Sequence, residues 1–251
     1  MNTKKAGSDF PIAIVTGGGS GIGFSVVKKL LEKNFIVYAC TGSKTINLDN
    51  LGKVFNKEII NRLKVKKFNI NDIKFSKQLI QDIYRQHKRI DVLVNSAGIP
   101  YGNLFLLTKS SDINEVFQTN YFSLLSFTQF VSRIMGRNKK GSIINISSAT
   151  SFSADAGTLA YGSAKAALNY ATKVLSKELA NQGIRVNAVA PGITDTEMLK
   201  KMDPNAIDKE LELSSIKKIA NPNQIASVII FLCSEDSSHI NGQIIRVDGG
   251  K

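Results

Sequence analysis

Seven short runs of Val, Ile, Ala and Leu recur along the chain, and longer amphipathic segments separate most of them. The runs cover residues 11–16, 35–40, 63–68, 91–95, 142–147, 184–189 and 244–247. Most are apolar on successive positions, the pattern of a strand buried on both faces. Between them, residues 21–33, 73–86, 111–137, 159–181 and 222–232 read as helices. Repeated strand–helix alternation predicts right-handed βαβ units, because a parallel neighbour can be reached only by a crossover. The expected fold is therefore α/β, a doubly wound parallel sheet with helices on both faces. A length of 251 residues, 43% of them hydrophobic, fits one domain spanning 1–251 with a substantial core. No linker, repeat or low-complexity tract interrupts it. The least regular stretch, 192–218, carries two short polar helical patches and is expected to act as a substrate lid.

Other classes are excluded on composition. No apolar run is long enough to span a bilayer. Residues 1–10 lack the apolar core of a signal peptide, so the expected location is cytoplasmic, with no membrane partner. Cys40 and Cys233 fall in apolar stretches and read as buried free thiols, not as a disulfide framework. His87 and His239 stand alone, so no metal site is expected. The formal charge is +13. Its lysines are spread along the chain, and no helix-turn-helix, RNA-recognition or zinc-finger pattern accompanies them. The charge reads as a solvated surface, with no nucleic-acid partner. It remains compatible with an acidic substrate carrier or a phosphorylated ligand.

The first strand runs directly into Thr16-Gly17-Gly18-Gly19-Ser20-Gly21-Ile22-Gly23, and Gly21-Ile22-Gly23 opens a helix. Glycines permit a tight turn and let a pyrophosphate approach the backbone. The exposed amides and the helix dipole then favour its charge. Farther along, Tyr161 and Lys165 lie four residues apart in an alanine-rich helical segment, which places them on one face. Reducing a ketone needs a hydride and a proton. A free tyrosine, near pKa 10, is a weak acid for that purpose, and the Lys165 ammonium is expected to lower it. Ser148, after an apolar strand, offers a hydroxyl to polarise a carbonyl. No histidine accompanies these serines, which argues against a serine hydrolase. Asn145, inside the strand, reads as a satisfied core amide.

The spacing Thr-Gly-x-x-x-Gly-x-Gly resembles that of the short-chain dehydrogenase/reductase family. Further stretches match in the same order: Asn95-Ser96-Ala97-Gly98, Asn120 within Gln118-Thr119-Asn120-Tyr121, the Ser148, Tyr161 and Lys165 spacing, Asn187 through Gly192, and Asn241 through Gly250. The resemblance covers nearly the whole chain. It implies a single Rossmann domain with a seven-stranded parallel sheet, and a homotetramer built on 111–137 and 159–181. It also implies the catalytic roles: Ser148 orients substrate, Tyr161 is the acid/base, Lys165 serves the ribose and the phenol, and Asn120 holds a water that links Lys165 to solvent. The spacing to Tyr161 selects Ser148 over Ser147.

The implied cofactor contacts are Gly17, Ser20, Gly21, Ile22, Gly23, Asn95, Ala97, Gly98, Pro191, Gly192, Thr194 and Thr196, with Tyr161 and Lys165 at the nicotinamide end and Asn69 beside the adenine. NAD-dependent relatives place an Asp at the end of the second strand. Thr41 stands there, with Ser43 and Lys44 following, so NADP(H) is favoured and NAD(H) is possible. Against this, NADP-preferring relatives often carry a basic residue at the position of Ser20.

Within the family the chain looks most like the 3-oxoacyl-acyl carrier protein reductases of fatty acid biosynthesis. Support comes from Asn69, the missing Asp, Gly102-Asn103-Leu104, and a positive surface suited to an acidic carrier, for which Arg133 and Arg137 are candidate contacts. Departures from that class are Tyr101-Gly102 before Asn103 and Ser215 through Ala220 before the last helix. The alternatives are a sugar, polyol or other secondary-alcohol dehydrogenase and, outside enzymes, a nucleotide-sensing Rossmann regulator. A regulator has no need of the full set Asn120, Ser148, Tyr161 and Lys165.

Overall fold

The computed structural model describes residues 10–251; the reading of residues 1–10 thus lies almost wholly outside the described residues. The seven strands are β1 (Ile12–Thr16), β2 (Ile36–Thr41), β3 (Leu63–Lys67), β4 (Val92–Asn95), β5 (Gly141–Ile146), β6 (Ile184–Pro191) and β7 (Ile244–Val247). All pairings are parallel, in the order β3-β2-β1-β4-β5-β6-β7. The helices are α1 (Gly21–Glu32), α2 (Leu48–Gly52), α3 (Lys57–Asn61), α4 (Ile73–His87), α5 (Ser110–Phe117), α6 (Ser123–Asn138), α7 (Leu159–Glu178), α8 (Pro204–Leu213) and α9 (Pro222–Cys233).

Side-chain alternation explains why both faces of the sheet are apolar. Ala13, Val15, Val37, Ala39, Val92 and Val94 face one core, beneath α1 and α9. Ile12, Ile14, Tyr38, Cys40 and Leu93 face the other, beneath α4, α6 and α7. On α1, Val26, Val27, Leu30 and Leu31 are at most 1% exposed and meet Ile225, Ala226, Ile229 and Leu232 of α9. Each such aliphatic side chain contributes about 1.5–3 kcal/mol by leaving water. Helix α9 starts where its sequence directs: Asn221 accepts from Asn223 N (2.9 Å), Gln224 accepts from Asn221 N (2.7 Å), and Pro222 occupies the first turn. The outer strand β3 exposes Lys64, Lys66 and Lys67, a charged edge that discourages pairing with another sheet.

Four local expectations need correction. The segment 111–137 is not one α-helix, because a π turn at Gln118–Phe122 separates α5 from α6. Two five-residue helices, α2 and α3, lie between β2 and β3, where none was expected; Asn56 caps the second by accepting from Ile59 N at 2.9 Å. Strand β6 continues to Pro191, since Gly192 N still bonds to Val247 O (3.0 Å). Helix α7 ends at Glu178 and tightens into a 3₁₀ turn at Ala180–Gln182, closed by Gly183 in the left-handed region (φ +70°).

Candidate active site

The strand order reverses direction between β1 and β4, and the crevice beyond their carboxyl ends is where such sheets bind ligands. Three loops open there. The first is the glycine turn after β1. Gly17 has φ +66°, and a Cβ on it would come 2.7 Å from Ser96 O and 2.8 Å from Ala97 N. A Cβ on Gly23 would overlap the Gly17 carbonyl, so the start of α1 sits directly on the turn. Thr16 Oγ1 accepts from both Ser96 N and Ala97 N at 3.1 Å, locking the turn to the loop after β4. Ser20 is the N-cap of α1, but its side chain makes no capping bond, and the first turn carries no acidic residue. The first-turn amides are thus left to an anion.

The second strand ends in the same crevice. Cβ atoms built on Gly19 and Gly21 touch Thr41 Cγ2 and Lys44 Cβ (both 3.1 Å) and Thr196 Cγ2 (3.0 Å), respectively. Thr41, Lys44 and Thr196 therefore gather round the turn, with Ser43 exposed beside them. Thr41 is 1% exposed, yet its Oγ1 has no partner. A buried hydroxyl without a partner at this edge, together with a glycine cradle that side chains would fill, fits an adenine dinucleotide. Asn69 is exposed and accepts from Asn71 N at 3.0 Å. Thr194 donates to Gly192 O (2.9 Å) and is nearly buried, so its hydroxyl already has an acceptor.

Asn95 is placed differently from its sequence reading. Its amide donates to Thr128 Oγ1 (2.8 Å) and Asn145 Oδ1 (2.9 Å), and Asn145 donates to Thr172 Oγ1 (2.9 Å). All four residues are at most 3% exposed. This buried chain ties β4, β5, α6 and α7 together. Asn145 is the core amide expected, and Asn95 joins it in the interior because both strands turn these positions toward α6 and α7.

Asn120 lies in the π turn, fully buried. Its Oδ1 accepts from Ile99 N (2.8 Å) and its Nδ2 donates to Ile99 O (2.9 Å). The side chain is a two-point clamp on the loop after β4, a tie that its sequence reading did not include. A π turn inside an otherwise regular helix often marks a functional position. A Cβ on Gly98, next to the clamp, would fall 2.9 Å from Asn120 Oδ1, too close, and 3.7 Å from Lys165 Nζ, so the three converge.

Ser148, Tyr161 and Lys165 meet at the carboxyl end of β5. Lys165 is 4% exposed; its Nζ donates to Ile146 O at 2.8 Å and lies 5.7 Å from the centre of the Tyr161 ring. Burial lowers its pKa to about 8. The Tyr161 phenol moves the other way: burial raises its pKa, and the hydrogen bond with Ser148 offsets only part of that. Burial thus sets the direction of the phenol's shift, and the Lys165 ammonium is turned to the Ile146 carbonyl.

Sequence reasoning also missed the set that holds Ser148. Its Oγ is hydrogen-bonded to Thr150 Oγ1, and Ser151 Oγ donates to Ser148 O at 2.6 Å. Asn169 Nδ2 donates to Ser151 Oγ at 2.8 Å, and Ser147 Oγ lies 3.3 Å from it. Asn169 stands four residues beyond Lys165 and eight beyond Tyr161, so helical spacing already puts the three on one face. Chemically, the cluster offers two hydroxyls and a buried amine at one point, suited to proton transfer at an oxygen.

The family model for short chain dehydrogenases matches residues 11–206, and the chain belongs to this family. It is a nicotinamide-dependent oxidoreductase by that membership. It is 34% identical over 239 residues to the 3-oxoacyl-acyl-carrier-protein reductase FabG of Thermotoga maritima, covering 95% of this chain and 96% of the relative. It is 32% identical over 240 residues to a 3alpha-hydroxysteroid dehydrogenase of Mediterraneibacter gnavus, covering 95% of each. Among solved structures it resembles ElxO with NADP bound, with a TM-score of 0.86 and 30% identity over 96% of this chain and 98% of that one. A tyrosine-to-phenylalanine variant of ElxO, solved with NADPH bound, has the same TM-score at 29% identity, with the same coverage of both chains.

Proposed function

We propose that the chain reduces 3-oxoacyl thioesters carried on an acyl carrier protein, using NADPH. The observation that carries the reductase chemistry is the meeting of Ser148, Tyr161 and Lys165 beside the glycine cradle of β1 and α1. The substrate reading is supported by the likeness to 3-oxoacyl-acyl-carrier-protein reductases along 95% of the chain and by the +13 charge, which attracts an acidic carrier. Residues to hold the cofactor are Gly17, Ser20, Gly21, Ile22 and Gly23 at the pyrophosphate, Thr41, Ser43 and Lys44 at the adenosine ribose, Asn69 at the adenine, the main chain of Asn95, Ala97 and Gly98, and Pro191, Gly192, Thr194 and Thr196 toward the nicotinamide. NADP(H) is favoured over NAD(H) because β2 ends in Thr41, whose free hydroxyl does not repel a 2′-phosphate as a carboxylate would.

When bound, the reduced nicotinamide supplies the hydride for the carbonyl carbon. Ser148 donates a hydrogen bond to the carbonyl oxygen as negative charge gathers on it. Tyr161 gives its proton to that oxygen, leaving the secondary alcohol and a phenolate. Lys165 stabilises the phenolate and re-protonates it, and a water held at Asn120 completes the relay to solvent. The working enzyme is a cytoplasmic homotetramer of single domains, 1–251, with 192–218 as the substrate lid. No helix among the described residues is long and apolar enough to cross a membrane.

The test is NADPH oxidation with acetoacetyl-CoA, acetoacetyl-acyl carrier protein, a panel of ketoses and a 3-oxosteroid. The expected result is kcat/KM at least tenfold higher for the carrier-bound thioester than for any ketose or steroid. A higher value for the steroid would install the second reading, secondary-alcohol dehydrogenation, which the hydroxysteroid relative favours. Tight NADPH binding with no turnover on any carbonyl would support a nucleotide-sensing regulator. Titration with both cofactors should give tighter binding of NADPH, and equal or reversed affinities would overturn that preference.

A further inference from the structure

Helix α8, in the middle of the 192–218 segment, fully buries none of its side chains. Its apolar face is shallow, with only Ile207 and Leu211 half-buried, so apolar packing alone anchors it weakly; a helix held that way sinks an apolar stripe. Its neighbours supply another means. Lys251 Nζ lies 2.7 Å from both Glu210 Oε1 and Glu210 Oε2 on α8, and 3.6 Å from Asp155 Oδ2 in the loop that follows Ser148. The ammonium is only 11% exposed, and the two carboxylates 20% and 27%. Screening is therefore weaker than at an open surface.

Lys251 is itself held. Arg246 donates to its carbonyl, pairs with Asp248 (2.6 Å) and stacks over Phe152, 5.2 Å from the ring centre. Gly249 and Gly250, at φ +73° and +81°, let residues 214–216 approach: Ser214 Oγ donates to Gly249 O (3.1 Å), Ser215 Oγ to Gly250 O (3.0 Å), and Ile216 N to Gly249 O (3.0 Å). At the other end of the segment, Gly192 packs on Asp248, where a Cβ would fall 2.8 Å from its Cα. Both ends of the segment are thus fastened to 248–250, and the helix between them is joined to the Ser148 side of the cleft chiefly through the Lys251 ammonium, with Lys209 of α8 adding a longer-range attraction to Asp155.

We infer that Lys251 is a latch, a positioning residue that holds α8 against the 152–157 loop and so retains substrate in front of Ser148 and Tyr161. This rests on the reading of 192–218 as the substrate cover. Lys251 touches none of the catalytic groups, so the latch acts on substrate residence and not on the proton transfer. Breaking it frees α8 to open while the hinges at 192 and 214–216 stay bonded.

The experiment uses the full chain, with Lys251→Met, Glu210→Gln and the double variant. Hydrogen exchange of the backbone amides of 205–213 should quicken about tenfold in each single variant, and no further in the double, because both break the same partly buried Lys251–Glu210 pair. With acetoacetyl-CoA and NADPH, KM should rise about tenfold with kcat not lowered and NADPH affinity unchanged. Unchanged exchange in the variants would overturn the latch. Faster exchange with KM held within twofold would overturn its role in retaining substrate. If the unaltered enzyme turns over no carbonyl, the reductase reading fails, and the exchange ratio alone decides the latch.

Discussion

Asn120→Ala tests whether the π turn is a structural clamp as well as a catalytic position. Asn120 is fully buried and gives both halves of its amide to Ile99, at 2.8 and 2.9 Å. Alanine removes both partners at once and leaves the N–H and C=O of Ile99 unpaired. An unsatisfied buried polar group costs about 1–3 kcal/mol. Ile99 is only half-buried, which places the pair toward the lower end, about 2–3 kcal/mol together. For a chain of this size each kcal/mol moves Tm by roughly 2–4 °C, so Tm should fall by about 4–12 °C. Activity should fall too, by at least about tenfold in kcat, because the freed loop carries Gly98, which abuts Lys165 Nζ. Thermal melts followed by circular dichroism give the first quantity, and single-turnover NADPH oxidation gives the second. A Tm within 1 °C of the unaltered protein would refute the clamp. A normal Tm with lost turnover would leave only the relay.

Tyr161→Phe should abolish turnover while NADPH affinity stays within a few-fold, measured by fluorescence titration; near-normal turnover would remove Tyr161 from the chemistry. Gly23→Ala forces a Cβ into the Gly17 carbonyl, backbone against backbone, and should weaken NADPH binding by at least about 100-fold; unaltered affinity would disprove the cradle. Burial lowers Lys165 to about 8 from the ordinary 10.5, so between those pH values the unfolded chain holds a proton that the folded chain has released. Its contribution to stability is present above about 10.5 and is lost as pH falls toward 8. Urea melts across that window should show stability rising with pH in a way that Lys165→Met lacks, and parallel curves for the two proteins would contradict the assignment.

Much of the fold was legible because burial on both faces of the sheet leaves a simple mark. In β1, Ile12 and Ile14 serve one core, Ala13 and Val15 the other, so no polar side chain can intervene before Thr16. The glycine turn was legible for a related reason: close backbone approaches at Gly17 and Gly23 admit no other residue. The π turn was hidden. Gln118 to Phe122 contains no Pro or Gly, and the irregularity goes with a tertiary contact, the reach of Asn120 to Ile99. The same limit applies to Asn95, whose partners Thr128 and Asn145 come from elements 33 and 50 residues away. The direction of the Tyr161 shift was unreadable because it is set first by how deeply the fold buries the phenol, which helical spacing does not show. Ser151 and Asn169 were half-legible: the spacing from Tyr161 was there, but a serine-rich run does not say which hydroxyl faces the helix.

These placements divide the work between two kinds of residue. Groups proposed to set the chemistry hang on interior bonds: Asn95 to Asn145 to Thr172, Asn120 to Ile99, and Asn169 to Ser151 to Ser148. A substitution there disturbs several elements at once, since each bond joins separate parts of the sheet and its helices. The loops around the mouth of the proposed substrate cleft are built otherwise. Residues 104–107 are 56–92% exposed, Phe152 is 50% exposed, and α8 fully buries no side chain. Changes in those loops alter what fits while leaving the interior bonds alone. The same arrangement of Ser148, Tyr161 and Lys165 can therefore serve a thioester or a steroid ketone, depending on the residues of 99–108, 152–157 and 192–216. Those three segments meet where Asn103 N bonds to Gly157 O and Lys251 reaches Asp155 and Glu210. Substrate preference should accordingly respond to substitutions around that meeting point more strongly than to any change on the far side of the sheet.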